Sequence, residues 1–411
     1  MNEFSRGWKP LLAATVGTMC GIFTLTNYSQ GFFVGPVTDE FGWSPPQFFL
    51  SFTVMMCLGL ITGPVVGSLV KAHGLRTLGI VGLIGHSLAY VLLSFNTGSL
   101  TLWYLSWALL AFLGAGSLPI IWTSVLNGWF EKHRGKAIGI TMTGTGLGAF
   151  VLPPLVEMLI SDYGWRTAYR GVGLGALVVS LPIVLALFRE NTSSSEDNTV
   201  SKTTLAPRDW GMTRAKAIKT PRFWLLGSVL FLTVIVVAGF LSNFPRIMAE
   251  QGLDREAIAR IASVMGITVV IGRLLVGILV DKFWAPGVAA VFFVLPAIAL
   301  LLLLTGDVGA STAIVVAVLI GLAAGAELDL LAYLTSRFFG PRHYPEIFGS
   351  IIAFFTVGAG IAPPLFGAVA QATGGYRTML TVAVGMLVVC IVMFLALGRY
   401  PNQAATIEDA A

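Results

Sequence analysis

The stretches "GAFVLPPL" (Gly148–Leu155) and "GAGIAPPL" (Gly358–Leu365) write nearly the same phrase twice in one chain, 210 residues apart. The offset recurs without gaps. Gly67 in "VVGSLVK" meets Gly277 in "LVGILVD", Gly139 meets Gly349, His133 meets His343, and "EFGWS" from Glu40 meets "EQGLD" from Glu250. The chain is two copies of one plan. A unit this long exceeds the roughly 20–50-residue period of a solenoid. In a membrane protein, such a parallel duplication marks a carrier assembled from two halves.

Of the 411 residues, 56% are hydrophobic and 11% charged, and mean hydropathy is +0.84. A soluble domain carries about 25% charged residues, so this chain belongs in lipid. Apolar runs long enough to cross a hydrocarbon core of roughly 30 Å as helices recur along its whole length. They place spans at 8–37, 46–70, 76–96, 99–127, 135–161 and 166–189, then at 222–249, 255–282, 286–306, 310–338, 345–372 and 375–399. The fold class is therefore an all-α membrane protein of twelve transmembrane helices in two six-helix halves. Residues 1–189 form an N-terminal bundle, 190–221 a polar Ser/Thr-rich linker, 222–399 a C-terminal bundle and 400–411 a tail. The first apolar segment is too long for a cleavable signal peptide and is kept as a span. Cys20, Cys57 and Cys390 fall inside spans with no CxxC spacing, which argues for packing residues over a metal site or disulfide.

Cations orient the chain. With both termini in the cytoplasm, 18 of the 25 Lys and Arg lie inside, six outside, and one, Arg273, within a span. The net charge of +5 follows from that topology and requires no nucleic-acid partner.

Twelve spans, a six-plus-six duplication and a basic central loop resemble the major facilitator superfamily. "GILVDK" (Gly277–Lys282) is similar to its GxxxD[RK] loop, in which Asp and the next cation brace the cytoplasmic gate. The first-half counterpart, "GSLVKAHGLR", keeps Gly67, Gly74 and Arg76 but has Lys71 in place of Asp, and Trp284 replaces a Gly in the second half. "WFEKHRGKAIGI", "DYGWRTAYR" and "TPRFWLL" resemble the monocarboxylate transporter and oxalate:formate antiporter branch more specifically. The gating residues this implies are Asp281, Lys282, Arg337 and Arg76.

Arg273 precedes Asp281 by eight residues, which puts it roughly 12 Å inside the cytoplasmic end of its helix. An Arg at the bilayer centre costs about 2.5–3.5 kcal/mol on translocon scales, so it faces a bundle interior or wet cavity with a defined partner. Its repeat mate is Gly63, so the scaffold does not demand the charge. The resemblance adds that an eighth-span Arg grips the substrate carboxylate, a role suited to the guanidinium's planar donors. In "GAELDLLAYLTSRFFG" the same arithmetic puts Asp329 at Arg273's depth, with Tyr333 one turn below on the same face. Asp329 and Glu327 are the candidate proton-coupling groups. The alternative for Arg273 and Asp329 is a permanent brace between helices.

Further pocket walls are implied by the helices that line the cavity in the superfamily: Asn27, Tyr28, Trp122, Thr143, Thr145, Asn243, Phe354 and Phe355. Packing or bonding to the helix's own backbone is the competing reading of each. Asn27 and Val269 stand where animal carriers have Lys and Asp, and Phe355 where oxalate carriers have a second cation. With one fixed positive charge, a monoanion such as lactate or pyruvate suits the site better than a dicarboxylate. The expected function is secondary, proton-coupled transport by alternating access; an oxalate/formate-type exchanger and a multidrug exporter of the same superfamily are the alternatives. No HExxH, GxSxG or phosphate-cradling GxxxxGK[ST] occurs, and the chain is read as a non-enzyme without cofactor or metal. The doubled prolines are read as kinks that help the outer mouth open. Expected partners are a small carboxylate, H⁺ and the lipid bilayer, with a monomer as the working unit. Short tails point to a prokaryotic cytoplasmic membrane.

Overall fold

In the computed structural model the described residues are 3–130, 133–190, 211–306, 308–340 and 342–400. They form α1 (Glu3–Met19), α2 (Ile22–Phe41), α3 (Pro45–Leu93), α4 (Leu100–Leu113), α5 (Pro119–Val125), α6 (Arg134–Leu187), α7 (Arg214–Ile218), α8 (Pro221–Glu250), α9 (Arg255–Lys282), α10 (Ala285–Leu304), α11 (Ala310–Phe339), α12 (Tyr344–Thr373) and α13 (Arg377–Ala396), with no strand among them. Ten stretches among these residues are long and apolar enough to cross a membrane. The 54-residue α6 is two spans joined at Gly164, and the fourth span runs from α4 through α5, which gives twelve. The linker expected at 190–221 is described only at 190 and from 211, where Thr213 caps the five-residue α7, and the tail at 400–411 lies outside the described residues except for Tyr400.

Helix starts follow local chemistry. Ser44 and Gln47 exchange hydrogen bonds of 3.4 and 2.8 Å in a capping box ahead of α3, with Pro45 at the first turn. "TPRFW" is a similar signal: Thr220 caps Phe223 and Pro221 opens α8. The repeat reappears in backbone detail. His133 and His343 occupy matching N-cap positions with φ/ψ of −109/22 and −115/24. Glu40 accepts from Arg166 at 2.7 Å and Trp165 Nε1 at 2.6 Å, and its repeat mate Glu250 accepts from the backbone N–H of Tyr376 at 3.0 Å. Arg166 and Tyr376 are themselves 210 residues apart. The "DYGWRTAYR" segment is thus an outer staple within the first half.

Where the repeat departs, the backbone does too. Gly74 adopts φ +80, ψ 161, a non-helical conformation that kinks α3 into two helices with no intervening loop. Its mate Trp284 takes φ −66, because a side chain there would be strained at positive φ, so α9 stops at Lys282 and a new helix starts at Ala285.

Two spans of the first half are broken. Chain direction shifts at Cys20–Gly21, between α1 and α2, and again at 114–118, between α4 and α5. The breaks meet: Ser117 Oγ accepts the Ile22 N–H at 3.1 Å, and a Cβ on Gly21 would stand 2.5 Å from the Ser117 carbonyl oxygen. His86, fully buried on α3, donates from Nδ1 to Gly82 O (2.9 Å) beside the same junction. The doubled prolines lie inside continuous helices, and the Pro363 carbonyl is met by Asn243 Nδ2 at 3.2 Å.

The face holding both described chain ends is called inner, in keeping with the cation bias. On the outer half of the molecule the two six-helix halves touch closely. A Cβ on Gly31 (α2) would fall 2.5 Å from Ser242 O (α8), and Thr53 of α3 donates to Gly360 O of α12 at 2.6 Å. Gly266 of α9 lies against the backbone of Ala149 and Phe150 on α6. Toward the inner ends, Gly139, Gly277 and Gly349 have nothing within 4 Å of a Cβ position. The close contacts named between the halves thus lie on the outer half, and these inner-end glycines make none.

Candidate substrate-binding site

Arg273 occupies the meeting point of α9, α11 and α6. Gly272 packs on the Leu322 backbone and Gly325 on that of Val269, so α9 and α11 approach to backbone contact on either side of the arginine. Its Nε lies 3.2 Å from Asp329 Oδ2, an ion pair whose N–H is not aimed at the oxygen. Its Nη1 donates to the Met142 carbonyl oxygen at 2.8 Å and lies 3.5 Å from Thr145 Oγ1. Both last partners sit on α6, in the other half. The Arg273 side chain is 12% exposed and that of Asp329 is 45% exposed, so the pair reaches open space through the carboxylate. This gives a cation with one misaligned acid partner and one carbonyl partner. A second carboxylate with better geometry could displace the first.

The other expected residues divide. Thr145 joins Arg273 as described, while its hydroxyl donates to Met142 O at 2.8 Å. Tyr28 is close enough to feel the guanidinium's charge. Asn27 and Tyr28 line a cavity of only about 20 Å³ with Pro153, Phe244 and Met265, which makes them an outer plug above Arg273. The Asn27 amide is spent on Phe23 O at 2.7 Å, and Thr143 donates to Ile140 O at 2.6 Å, both within their own helices.

Four expected wall residues are packed elsewhere. Trp122 is fully buried, its indole N–H donates to Ser117 O at 3.0 Å, and its ring packs beneath Gly17 and Gly79. Burial of so large a surface at a glycine crossing fixes the helix break and leaves no face for cargo. Asn243 is fully buried too, and its amide is saturated by Gly239 O (2.9 Å), Pro363 O (3.2 Å) and the Tyr376 hydroxyl (2.7 Å). It joins α8 to α12 and to the residue that caps α13. Phe354 covers Gly227 and meets the rings of Phe223 and Trp224, while Phe355 is half-buried against the core.

Tyr333 keeps company with Arg337, Asp281 and Tyr400 at the inner end and not with Arg273. Glu327 is 6% exposed and turns into the second half, toward Thr233 on α8 and Cys390 on α13, with Oε1 unpartnered. It does not share a site with Arg273 and Asp329. Of the expected gating residues, Arg76 bonds Leu185 O at 2.7 Å through its side chain and Glu190 Oε1 at 2.8 Å through its backbone. Arg337 sits 4.7 Å above the Tyr400 ring, and Asp281 and Lys282 are exposed at the end of α9. These described contacts remain within one half each. The Lys71 side chain lies outside the described residues.

Two features escaped the sequence reading. The Met142 carbonyl carries no residue-type signal. Glu157, an ionisable residue within the fifth span, faces a cavity of about 440 Å³ between the halves on the outer side. Its position in "LVEMLI" could have drawn attention to it.

Comparison with known proteins matches these features. The family model described as Major Facilitator Superfamily matches residues 15–343 and 239–410. Mouse monocarboxylate transporter 11 is 24% identical over 404 residues, covering 96% of this chain and 88% of that protein. An MFS-type transporter of Gibberella moniliformis is 25% identical over 408 residues, covering 97% and 92%. Human monocarboxylate transporter 12 is 25% identical over 363 residues, covering 79% and 67%. A crystal structure of a bacterial homologue of the human lysosomal transporter Spinster, inward-facing and unoccupied, superposes with a TM-score of 0.67 at 17% identity, over 99% of this chain and 98% of that one. With a duplicated twelve-helix fold, a family match over most of its length and relatives of this kind, the chain belongs to the major facilitator superfamily, in its monocarboxylate-transporter-like branch.

Proposed function

We propose that this transporter moves a small organic monocarboxylate, of the lactate or pyruvate kind, in step with a proton and by alternating access. The observation that carries the reading is Arg273: a cation deep in the eighth span, held at mid-depth by a misaligned carboxylate and by a carbonyl of the opposite half. A substrate carboxylate that takes the guanidinium from Asp329 places two anionic groups on one cation. One proton neutralises the excess, so anion and H⁺ are bound together. The same event removes the geometry that joins Arg273 to Met142, and so frees the two halves to rock.

The contacts between the halves on the outer side support an inward-facing state, from which bound anion and proton would leave toward the cytoplasm. A single fixed charge supports a monoanion over a dicarboxylate. We further propose that the protein works as a monomer in a prokaryotic cytoplasmic membrane, where a proton gradient is available. The deciding experiment is a screen of labelled lactate, pyruvate, acetate and glycolate in proteoliposomes with an imposed pH gradient. Gradient-driven accumulation of at least one of them is expected; extrusion of organic cations, with none of the acids moved, contradicts the reading.

A further inference from the structure

The outer vestibule has two unlike walls. Asp39 of α2 and Glu157 of α6 belong to the first half; Arg246 of α8 and Arg255 of α9 face them from the second, around a space of about 440 Å³. Glu250 also lines it, but its carboxylate is engaged by the Tyr376 N–H, and Arg246 lies against the Tyr376 phenol. Glu157 is only 9% exposed, and the charge that bears on it is that of Arg255, across the boundary between the halves. No ion pair within 4 Å is described between these walls, so their attraction acts through the gap. The volume falls in the range of about 300–1,000 Å³ typical of small-molecule sites.

Beside the vestibule, sharing Gly31, Phe32 and Pro245 with it, lies the small cavity of about 20 Å³ between Asn27, Tyr28, Phe244 and Met265. That holds about one water. Arg273 lines neither cavity, and a solute arriving from outside meets Arg246 and Arg255 in the vestibule.

We propose that the vestibule is a second anion site, where an incoming small carboxylate takes Arg255 from Glu157 and so loosens the outer closure. The ligand class rests on the carboxylate reading of Arg273. Each guanidinium satisfied by a mobile anion no longer draws the acidic wall of the other half inward. The anion binds more tightly once Arg255 is released, and that differential affinity shifts the molecule toward outer opening. Cargo arrival and gate opening are thereby linked before the cargo reaches the central site.

The test uses Ala249, an exposed residue of the vestibule wall. Ala249→Cys is made together with Cys57→Ser, since Cys57 is exposed whereas Cys20 and Cys390 are buried. Arg273→Ala is added to remove the central site. Proteoliposomes are labelled from outside with the impermeant 2-sulfonatoethyl methanethiosulfonate. An equimolar mixture of sodium lactate, pyruvate, acetate and glycolate is compared with sodium chloride at equal ionic strength, because vestibule charges are screened by salt. The carboxylates are expected to slow labelling severalfold. Arg255→Gln should abolish the protection, and Glu157→Gln should produce it at lower carboxylate concentration. Equal labelling in carboxylate and chloride, or protection that survives Arg255→Gln, overturns the proposal. Protection in a protein whose Arg273-intact form transports none of these acids would leave the vestibule site standing and remove the proposed cargo.

Discussion

Arg273 of α9 donates to the carbonyl oxygen of Met142 on α6 at 2.8 Å, so the guanidinium that faces Asp329 in its own half is tied to the other half as well. A cation held only by Asp329 would be an intrahalf brace. One held across the boundary changes its partners whenever the halves move. That difference favours a working site over a static strut, and it makes the arginine's geometry as important as its charge. Arg273→Lys keeps the charge and loses the planar fork, so it cannot serve Asp329 and Met142 together. A lost hydrogen bond to a charged group is worth about 1.5–3 kcal/mol. Carboxylate uptake by Arg273→Lys should fall by about tenfold to a hundredfold, and uptake at the wild-type rate would show that charge alone suffices.

Asp329→Asn separates cargo from coupling. The substitution leaves Arg273 free for substrate but supplies no group to take a proton. Counterflow exchange of labelled carboxylate should persist, whereas accumulation driven by a pH gradient should be lost. An unchanged proton-to-carboxylate stoichiometry would exclude Asp329 as the proton carrier. Glu327→Gln, in a carboxyl turned away from the site, should leave that stoichiometry intact.

The closure of the outer half depends on small residues. Gly31→Val should wedge α2 from Ser242 of α8, where even a Cβ would sit 2.5 Å from the carbonyl oxygen. Ala262, a 9% exposed wall of the plug, reports the result. In an Ala262→Cys protein carrying Cys57→Ser, labelling from outside should be slow and should accelerate about tenfold or more once Gly31→Val shifts the equilibrium by roughly 1.4 kcal/mol. Unchanged labelling would show that this contact does not hold the mouth shut.

Asn243 is expected to behave as a structural residue. Asn243→Ala strips a partner from the Tyr376 hydroxyl and from Pro363 O in a buried setting. Buried groups left unpaired cost about 1–3 kcal/mol, while side-chain hydrogen bonds inside bilayers average nearer 0.6 kcal/mol. A loss of about 1–3 kcal/mol in thermal stability is predicted, with substrate affinity in the surviving folded protein unchanged. A selective loss of affinity without a stability change would restore Asn243 to the pocket.

Gly164 tests the joint between the fifth and sixth spans. Its φ of 77 and ψ of 163 fall in a region open essentially to glycine alone, and nothing lies within 4 Å of its Cβ position. Gly164→Ala should therefore cost about 1–3 kcal/mol by backbone strain alone. Gly175→Ala, at an equally open position inside the helix, should be neutral or gain up to about 1 kcal/mol in a melting assay. Equal melting temperatures for the two variants would contradict the assigned joint.

The repeat, the twelve spans and the mid-depth pairing of Arg273 with Asp329 were legible because each depends on spacing along the chain. Depth follows from 1.5 Å per helical residue, and a 210-residue offset aligns whole halves. What surrounds a side chain laterally was not legible. Trp122 and Asn243 lie on helices that are apolar all round, so no periodic stripe distinguishes cavity from core. Tyr333 has the right phase relative to Asp329, but one turn brought it to Arg337 and Asp281 instead. The breaks at Cys20–Gly21 and 114–118 left no mark in hydropathy, since a broken apolar helix and a continuous one have the same composition. Met142 contributes through its backbone, which every residue type shares.

The most direct measurement is uptake of labelled monocarboxylate into proteoliposomes by Arg273→Gln beside the unsubstituted protein, with folding of both checked by thermal melting. Gln is uncharged, and its amide N–H reaches the place of the Arg273 Nε beside Asp329, so a purely bracing hydrogen bond to α11 would persist while the charge is lost. The account predicts a stably folded protein in which saturable carboxylate uptake and counterflow fall to the level of empty vesicles. Carboxylate transport by Arg273→Gln at the unsubstituted rate would contradict it.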